Sequence, residues 1–343
     1  MSTNGFARSE RYGARVWREF KRNPGAIWSL RVVVLLALTA LAADLIANDK
    51  PYYLELQGTS YAPIFIDYGV WLGLRKWPEP LLNADFYRLE EQADSVLWPP
   101  IRYSPTRVAI RGDTFASPSG KHWLGTDRLG RDVMAGMVHG TRISLTIGLV
   151  VVAIQAAIGI VLGGLAGYYG GWTDIAISRF IEMMLGIPTF FLLITVAAIF
   201  PPSIYLIMGI LGLTGWMGIA RYVRSEFLRV RAQDFVESAR SLGGSDLRVM
   251  VRHILPNALA PVLVSMSFGV ATAILAESGL SFLGIGVPAH LVTWGSILST
   301  ARANTFAWWL AVFPGAAIFV TVTAYNLLGD GLRDALDPKV APR

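Results

Sequence analysis

The chain has 343 residues, 53% of them hydrophobic and 16% charged, and its mean hydropathy of +0.47 is far too high for an ordinary water-soluble protein. Cysteine is absent, which excludes disulfide scaffolds, thiolate metal sites and cysteine nucleophiles. A net charge of +6 would suit nucleic acid, but the cations cluster beside apolar runs, as in a protein held by anionic lipid, so nucleic-acid binding is set aside.

In chain order, Arg8, Arg11, Arg15, Arg18, Lys21 and Arg22, with Trp17 and Phe20 between them, precede a break at Pro24 and Gly25. This reads as a basic helix on the membrane, within a cytoplasmic segment 1–26. The apolar run at 27–46 follows. It shows no clear small-residue cleavage pattern and Asp44 ends it, so it reads as a retained first span, 27–47, and not as a signal peptide. Arg31 can snorkel from it to the inner headgroups.

From 48 to 121 the composition is that of a soluble protein, with eight Lys or Arg and nine Asp or Glu. The stretch is too long for a turn and reads as a small water-exposed subdomain. Loops above about 60 residues translocate whatever their charge, so its cations do not oppose an outside location. With an interfacial helix it fills 48–140.

Charge-free segments then follow at 143–167, 183–200, 204–220, 258–276 and 308–328. Each can cross a core about 30 Å thick as a helix rising about 1.5 Å per residue. Pro201, Pro202 and Ser203 make a tight hairpin between the third and fourth spans. The stretch 278–289, broken by Gly279, Gly284, Gly286 and Pro288, reads as re-entrant or interfacial. The expected architecture is an all-α polytopic membrane protein of six transmembrane helices, with an insert between helices 1 and 2, a core over 141–331 and a tail over 332–343. The loop 221–257 holds seven Lys or Arg against four acids, so it shares the cytoplasmic side with the amino-terminal segment and both termini are inside.

Signatures of intramembrane hydrolysis are missing. His122, His139, His253 and His290 have no helical i, i+4 partner and read as loop or interfacial histidines. A phosphate-binding loop fails because His122 follows Gly120 and Lys121 and Phe115 stands where a glycine belongs. The informative stretch is 232–257. There Asp234 and Glu237 are close to a capping box, and Gly243 and Gly244 stop the helix. Asp246 is a plausible cap for a second helix ending before Pro256. On the residues alone this is either a docking helix or a connector lying on headgroups. Gly159, Gly163, Gly164, Gly209 and Gly212 suit close helix approach and sliding, or packing alone. Glu277, at the outer end of the fifth span, reads as an interfacial carboxylate in water or paired with an arginine, with solute contact the alternative. Arg179 and Glu182 are spaced to pair on one helix face.

The residues Glu237, Ser238, Ala239, Gly243, His253, Ile254, Leu255 and Pro256 resemble the cytoplasmic signature of the inner-membrane subunits of bacterial ABC importers. Ser238 and His253 depart from the general pattern and look like the dipeptide, oligopeptide and nickel branch. WREFKRNPGAIWSL at 17–30, HWLGTDRLGRDV at 122–133, GTRISL at 140–145, YYGGWTD at 168–174, LSFLGIGVP at 280–288 and LGDGLRDALDPK at 328–339 are similar to the same branch. Trp123 replaces its usual proline, and Glu182 stands where an aspartate is common. LIANDKP at 45–51, the insert and LWPPIRYSP at 97–105 resemble the Yej-type peptide-uptake group, which includes carriers of microcin C.

The resemblance implies a type I importer permease core of C type. It implies a heterodimer with a second permease subunit, two ATP-binding cassette subunits in the cytosol, and a periplasmic solute-binding protein that delivers a peptide-like solute. Membrane lipid surrounds the assembly, no cofactor is expected, and ATP hydrolysis belongs to the partners. Asp234, Glu237, Ser238, Ala239, Gly243, His253 and Pro256 would then form the ATPase-coupling element. The alternatives are a secondary transporter or channel working without ATP, which would want polar groups at midspan, and a membrane-anchored scaffold.

Overall fold

The computed structural model describes residues 12–108, 113–285, 287–288 and 290–336. Helix α1 (Tyr12–Arg22) stops at Asn23, whose side chain accepts from the Ala26 N–H at 3.2 Å; Pro24, with no N–H to satisfy, opens α2 (Pro24–Leu41). The expected break is therefore present, while Arg8 and Arg11 lie outside the described residues. One face of α1 is occupied by protein: Phe20 is buried with Ala26 and Ala335, flanked by Val16 and Leu332.

A short turn, α3 (Ala43–Ile46), follows α2. Arg142 donates to the Ala40 carbonyl at 2.7 Å and to the Asp44 carboxylate at 2.8 Å, putting a cation where the last carbonyls of α2 leave negative partial charge. The following stretch has a small core of its own, built from Leu54, Leu81, Phe86 and Trp98. It contains β1 (Tyr53–Leu56), β2 (Thr59–Tyr61), α4 (Pro63–Trp71), α5 (Phe86–Glu90) and β3 (Ser95–Leu97). The strands form an antiparallel sheet in the order β2-β1-β3, with Leu54 opposite both Tyr61 and Val96. An all-α reading did not foresee them, since strands of three or four residues are too short to show alternation.

The core begins with α6 (Val133–Tyr169), capped by Asp132, whose carboxylate accepts from the Ala135 N–H at 2.8 Å and bonds His122 Nδ1 at 2.8 Å. Its 37 residues take in both the expected interfacial helix and the second span. Then come α7 (Gly171–Leu185), α8 (Thr189–Ile199), α9 (Ile204–Arg231), α10 (Asp234–Ser241), α11 (Asp246–Val249), α12 (Leu255–Phe282), α13 (Trp294–Ala301) and α14 (Trp309–Leu336). Among the described residues, five helices are long and apolar enough to cross a membrane, and six spans result if α7 and α8 count together.

That pair corrects the expectation of one straight span at 183–200: α7 and α8 meet at a bend of 65°. Pro188 supplies no N–H and disfavours helix at Ile187, and Gly186 ends α7. Arg179 and Glu182 pair at 2.6 Å as their spacing suggests. The stretch 278–289 also divides, because α12 runs on to Phe282 before the chain leaves the helix.

Helices α6 and α9 pack intimately through Gly159, Gly163 and Gly167, one helical turn apart. A Cβ on Gly159 would lie 2.8 Å from Ile219 Cγ2, and one on Gly167 2.6 Å from the Arg224 carbonyl oxygen, so only glycine lets the backbones approach this closely. Gly164 faces Phe227 and Gly212 faces Ile154, whereas a Cβ on Gly209 would meet nothing within 4 Å, so close approach does not require glycine there.

Candidate functional site

The loop between α9 and α12 begins as α9 ends. Helix α10 has Gln233 in the cap position, with φ −93° and ψ 143°, and Asp234 is its first helical residue. The capping box expected of Asp234 and Glu237 is therefore not formed. With the helix starting one residue earlier in geometry, the Asp234 side chain is past the position from which it could reach the free amides, and its carbonyl instead accepts from the Ser238 hydroxyl at 2.9 Å. One residue of α10, Val236, is fully buried, in an apolar cluster with Val223, Phe227 and Val230 of α9 and Val249 of α11. Ala239 packs at the edge of that cluster.

The helix stops as its glycines indicate. Gly243 has φ +82°, its N–H donates to the Arg240 carbonyl at 2.9 Å, and the Gly244 N–H donates to the Ala239 carbonyl at 3.1 Å. This pair of bonds is a Schellman turn, which satisfies the carbonyls left over at the helix end. The outer side is apolar: Phe235 is 41% exposed, Leu242 88% and Leu247 71%.

Two further expectations are corrected beyond the turn. Ser245, not Asp246, occupies the cap position of α11, and the Asp246 carboxylate accepts from the Tyr168 hydroxyl at 2.6 Å instead. The second helix does not end before Pro256 either. A π-helical turn over Met250–Ile254 leads directly into α12, in whose first turn Pro256 stands. A widened turn shifts the hydrogen-bond register, so the missing proline N–H and the ring are absorbed without a break. His253 sits in this π turn and its carbonyl accepts from Asn257 Nδ2 at 2.7 Å. Asp234, Glu237, Ser238, Ala239 and Gly243 thus share one helix and its turn, while His253 and Pro256 lie at the root of α12.

Above this loop, α6, α9 and α12 border a cavity of about 820 Å³ whose lining includes Val151, Gln155, Leu211, Thr214, Phe268 and Thr272. Gln155 lies near the middle of α6 and donates from Nε2 to the Leu211 carbonyl of α9 at 3.0 Å. Gly215 leaves room for it, since a Cβ there would collide with the Gln155 amide.

At the other end of α12, Glu277 is fully buried with no cationic partner among the described residues. This overturns the expectation of an exposed or arginine-paired carboxylate. Because α12 continues to Phe282, Glu277 lies inside the packed helix, where the Ser281 hydroxyl donates to it at 2.7 Å and Ser278 lies at 3.4 Å. Thr293, the cap of α13, faces the same carboxyl group. Gly295 permits this contact between α12 and α13, since a Cβ there would sit 2.7 Å from Ser278 Cα and Ser281 Cβ. Neither Gln155 nor Tyr168 stands out in the sequence by charge or motif chemistry; the only local hint is a polar residue amid an apolar run for the first and the paired tyrosines before two glycines for the second.

Residues 159–342 match the family described as the binding-protein-dependent transport system inner membrane component, and 11–63 match the N-terminal transmembrane domain of oligopeptide transport permease C. The chain belongs to the ABC transporter permease family. It is similar to the inner membrane ABC transporter permease protein YejE of Escherichia coli, with 35% identity over 95% of this chain and 96% of that one. The peptidoglycan transport system permease protein YejE of Agrobacterium fabrum is 33% identical, with 95% of this chain and 92% of the other covered. The dipeptide transport system permease protein DppC of Bacillus subtilis is 40% identical over 65% of this chain and 70% of its own length. In fold, an inward-facing structure of the MetNI methionine ABC transporter aligns with a TM-score of 0.50 at 18% identity, over 60% of this chain and 98% of that one.

Proposed function

We propose that this permease forms half of the translocation pathway for peptides or peptide-like compounds in a bacterial ABC importer. In this reading it is driven by ATP hydrolysis in two separate cassette subunits, pairs with a second permease and receives solute from a periplasmic binding protein. It spans the inner membrane with both termini cytoplasmic and the 48–121 stretch outside.

The observation that carries the coupling part of this reading is the form of α10. The helix is fixed from behind by buried Val236 and ended by a rigid turn at Gly243, and it presents Phe235, Leu242 and the adjoining Leu247 outward. An exposed apolar edge on a rigid support is a surface for a partner protein, and its place between α9 and α12 joins that surface to two walls of the cavity. The peptide assignment is supported by the names of the YejE and DppC relatives and by a largely apolar cavity that carries neutral groups able to hydrogen-bond amides, among them Gln155, Thr214 and Thr272.

The test uses the complete assembly. A Ser238→Cys variant of this cysteine-free chain should cross-link to a cysteine placed in the groove of the copurified ATPase, in a manner that changes with ATP. Failure of the wild-type chain to retain any ATPase subunit would refute the coupling role, and uptake of labelled peptide without ATP would refute the energy source.

A further inference from the structure

Tyr168, next to last in the long helix α6, is 2% exposed, while Tyr169, which ends the helix, is 50% exposed. A buried phenol needs a hydrogen-bond partner, and this one donates to the Asp246 carboxylate of α11 at 2.6 Å. On its ring rests the guanidinium of Arg240, from the last turn of α10, with its carbon 4.7 Å from the ring centroid. The ring belongs to the apolar cluster that holds Val236 of α10 and Val249 of α11. A single side chain of α6 therefore grips both short helices, one on each side of the turn at Gly243 and Gly244.

Resting on the reading of α10 as the coupling helix, we propose that Tyr168 is the positioning residue that fastens the coupling segment to α6. The same helix borders the cavity at Gln155, 13 residues away, which is a rigid arm of about 20 Å. Its close packing on α9 at Gly167, where a Cβ would meet the Arg224 carbonyl oxygen at 2.6 Å, makes α6 and α9 move together. A displacement of α10 by the ATPase would thus reach the cavity wall through Tyr168, in addition to the direct covalent path along α9 and α12. The hydroxyl sets the position of α11 through Asp246, and the ring under Arg240 supports α10.

The experiment uses the full transporter reconstituted in proteoliposomes, with peptide uptake and ATP consumption measured together. Tyr168→Phe keeps the ring and removes the hydroxyl; Asp246→Ala removes the acceptor; Asp246→Asn retains one. Tyr168→Phe and Asp246→Ala should each lower peptide transported per ATP by about threefold, the population effect of losing one hydrogen bond, with membrane level and ATPase retention unchanged. The double variant should be no worse than either single one, and Asp246→Asn should stay near wild type. Spin labels on Ser241→Cys and Thr173→Cys should show a broader distance distribution in Tyr168→Phe than in its parent. Unchanged transport per ATP in both single variants, or additive losses in the double one, would overturn the proposal while leaving the coupling reading in place. A wild-type chain that retains no ATPase would overturn both.

Discussion

The turn at Gly243 gives a test in which backbone strain is separated from steric collision. Its φ of +82° lies in the left-handed region, and a Cβ added there would meet nothing within 4 Å. The cost of a side chain at this position is thus conformational alone. For alanine it is about 1 kcal/mol, for valine about 2 kcal/mol because of its branched Cβ, and for asparagine only a fraction of these because it tolerates the region. Strain of 1–2 kcal/mol corresponds to about a 5- to 30-fold shift between the turn and an unwound alternative. Unwinding would break the bonds from Gly243 to Arg240 and from Gly244 to Ala239 and let α11 drift from α10. The turn lies outside the bilayer spans, so insertion should be unaffected. At equal membrane level, Gly243→Asn should behave like wild type. Gly243→Ala should be intermediate, losing up to about 5-fold, and Gly243→Val should lose solute-stimulated ATP hydrolysis by up to about 30-fold together with part of its ATPase. Valine and asparagine variants of equal activity would refute the reasoning, since they differ mainly in tolerance of positive φ.

Three further outcomes are expected. Glu277→Gln should retain the buried network with Ser281 and Thr293, whereas Glu277→Leu leaves those hydroxyls facing an apolar group and should cost about 1–3 kcal/mol, read as a lower melting point in detergent; equal melting of the two would refute the assignment. Asp44, in the short turn α3 beyond the apolar helix α2, feels burial that raises its pKa, but hydrogen bonds from Arg142 and Tyr68 and the Arg142 charge outweigh it, so the carboxyl is held below its ordinary value. Stability from such a group is complete above its unfolded pKa of about 4 and is lost as pH falls through the folded value, so wild type should lose stability below about pH 4 and Asp44→Asn should lose less over the same window; parallel curves would sink this account. Finally, Ser60→Cys should label in intact cells with the outer membrane made permeable, and labelling only after the inner membrane is opened would invert the proposed topology.

What the sequence made legible is what the bilayer imposes locally. Runs of apolar residues long enough to cross, the double proline at 201–202 and the stop at Gly243 and Gly244 all follow from demands that a few neighbouring residues meet by themselves. The bend between α7 and α8 was written in Gly186 and Pro188, but the absence of charge in that run conceals it if hydropathy alone is weighed. Pro256 shows the opposite failure: a proline that ordinarily ends a helix is carried through by a π turn whose only sequence trace is the proline itself.

Other features depend on partners remote in the chain. The burial of Glu277 requires Thr293 and a glycine at 295, supplied by α13 folding back over the end of α12. The contact between Tyr168 and Asp246 spans 78 residues, and nothing near either one marks the other. The candidate site is therefore half legible: α10 and its stop are a local motif, but the fastening of α10 to α6 is a tertiary contact. On the proposed coupling role the two must coexist, because a helix that met an ATPase without being held to α6 would yield under load before it moved the cavity wall. Val236 and Val249 alone would resist lifting but not sliding, since apolar contacts carry no direction. The bond from Tyr168 to Asp246 adds a directional restraint between α11 and α6, which is why loss of that one hydroxyl should appear in the ratio of transport to ATP consumed before it appears in stability.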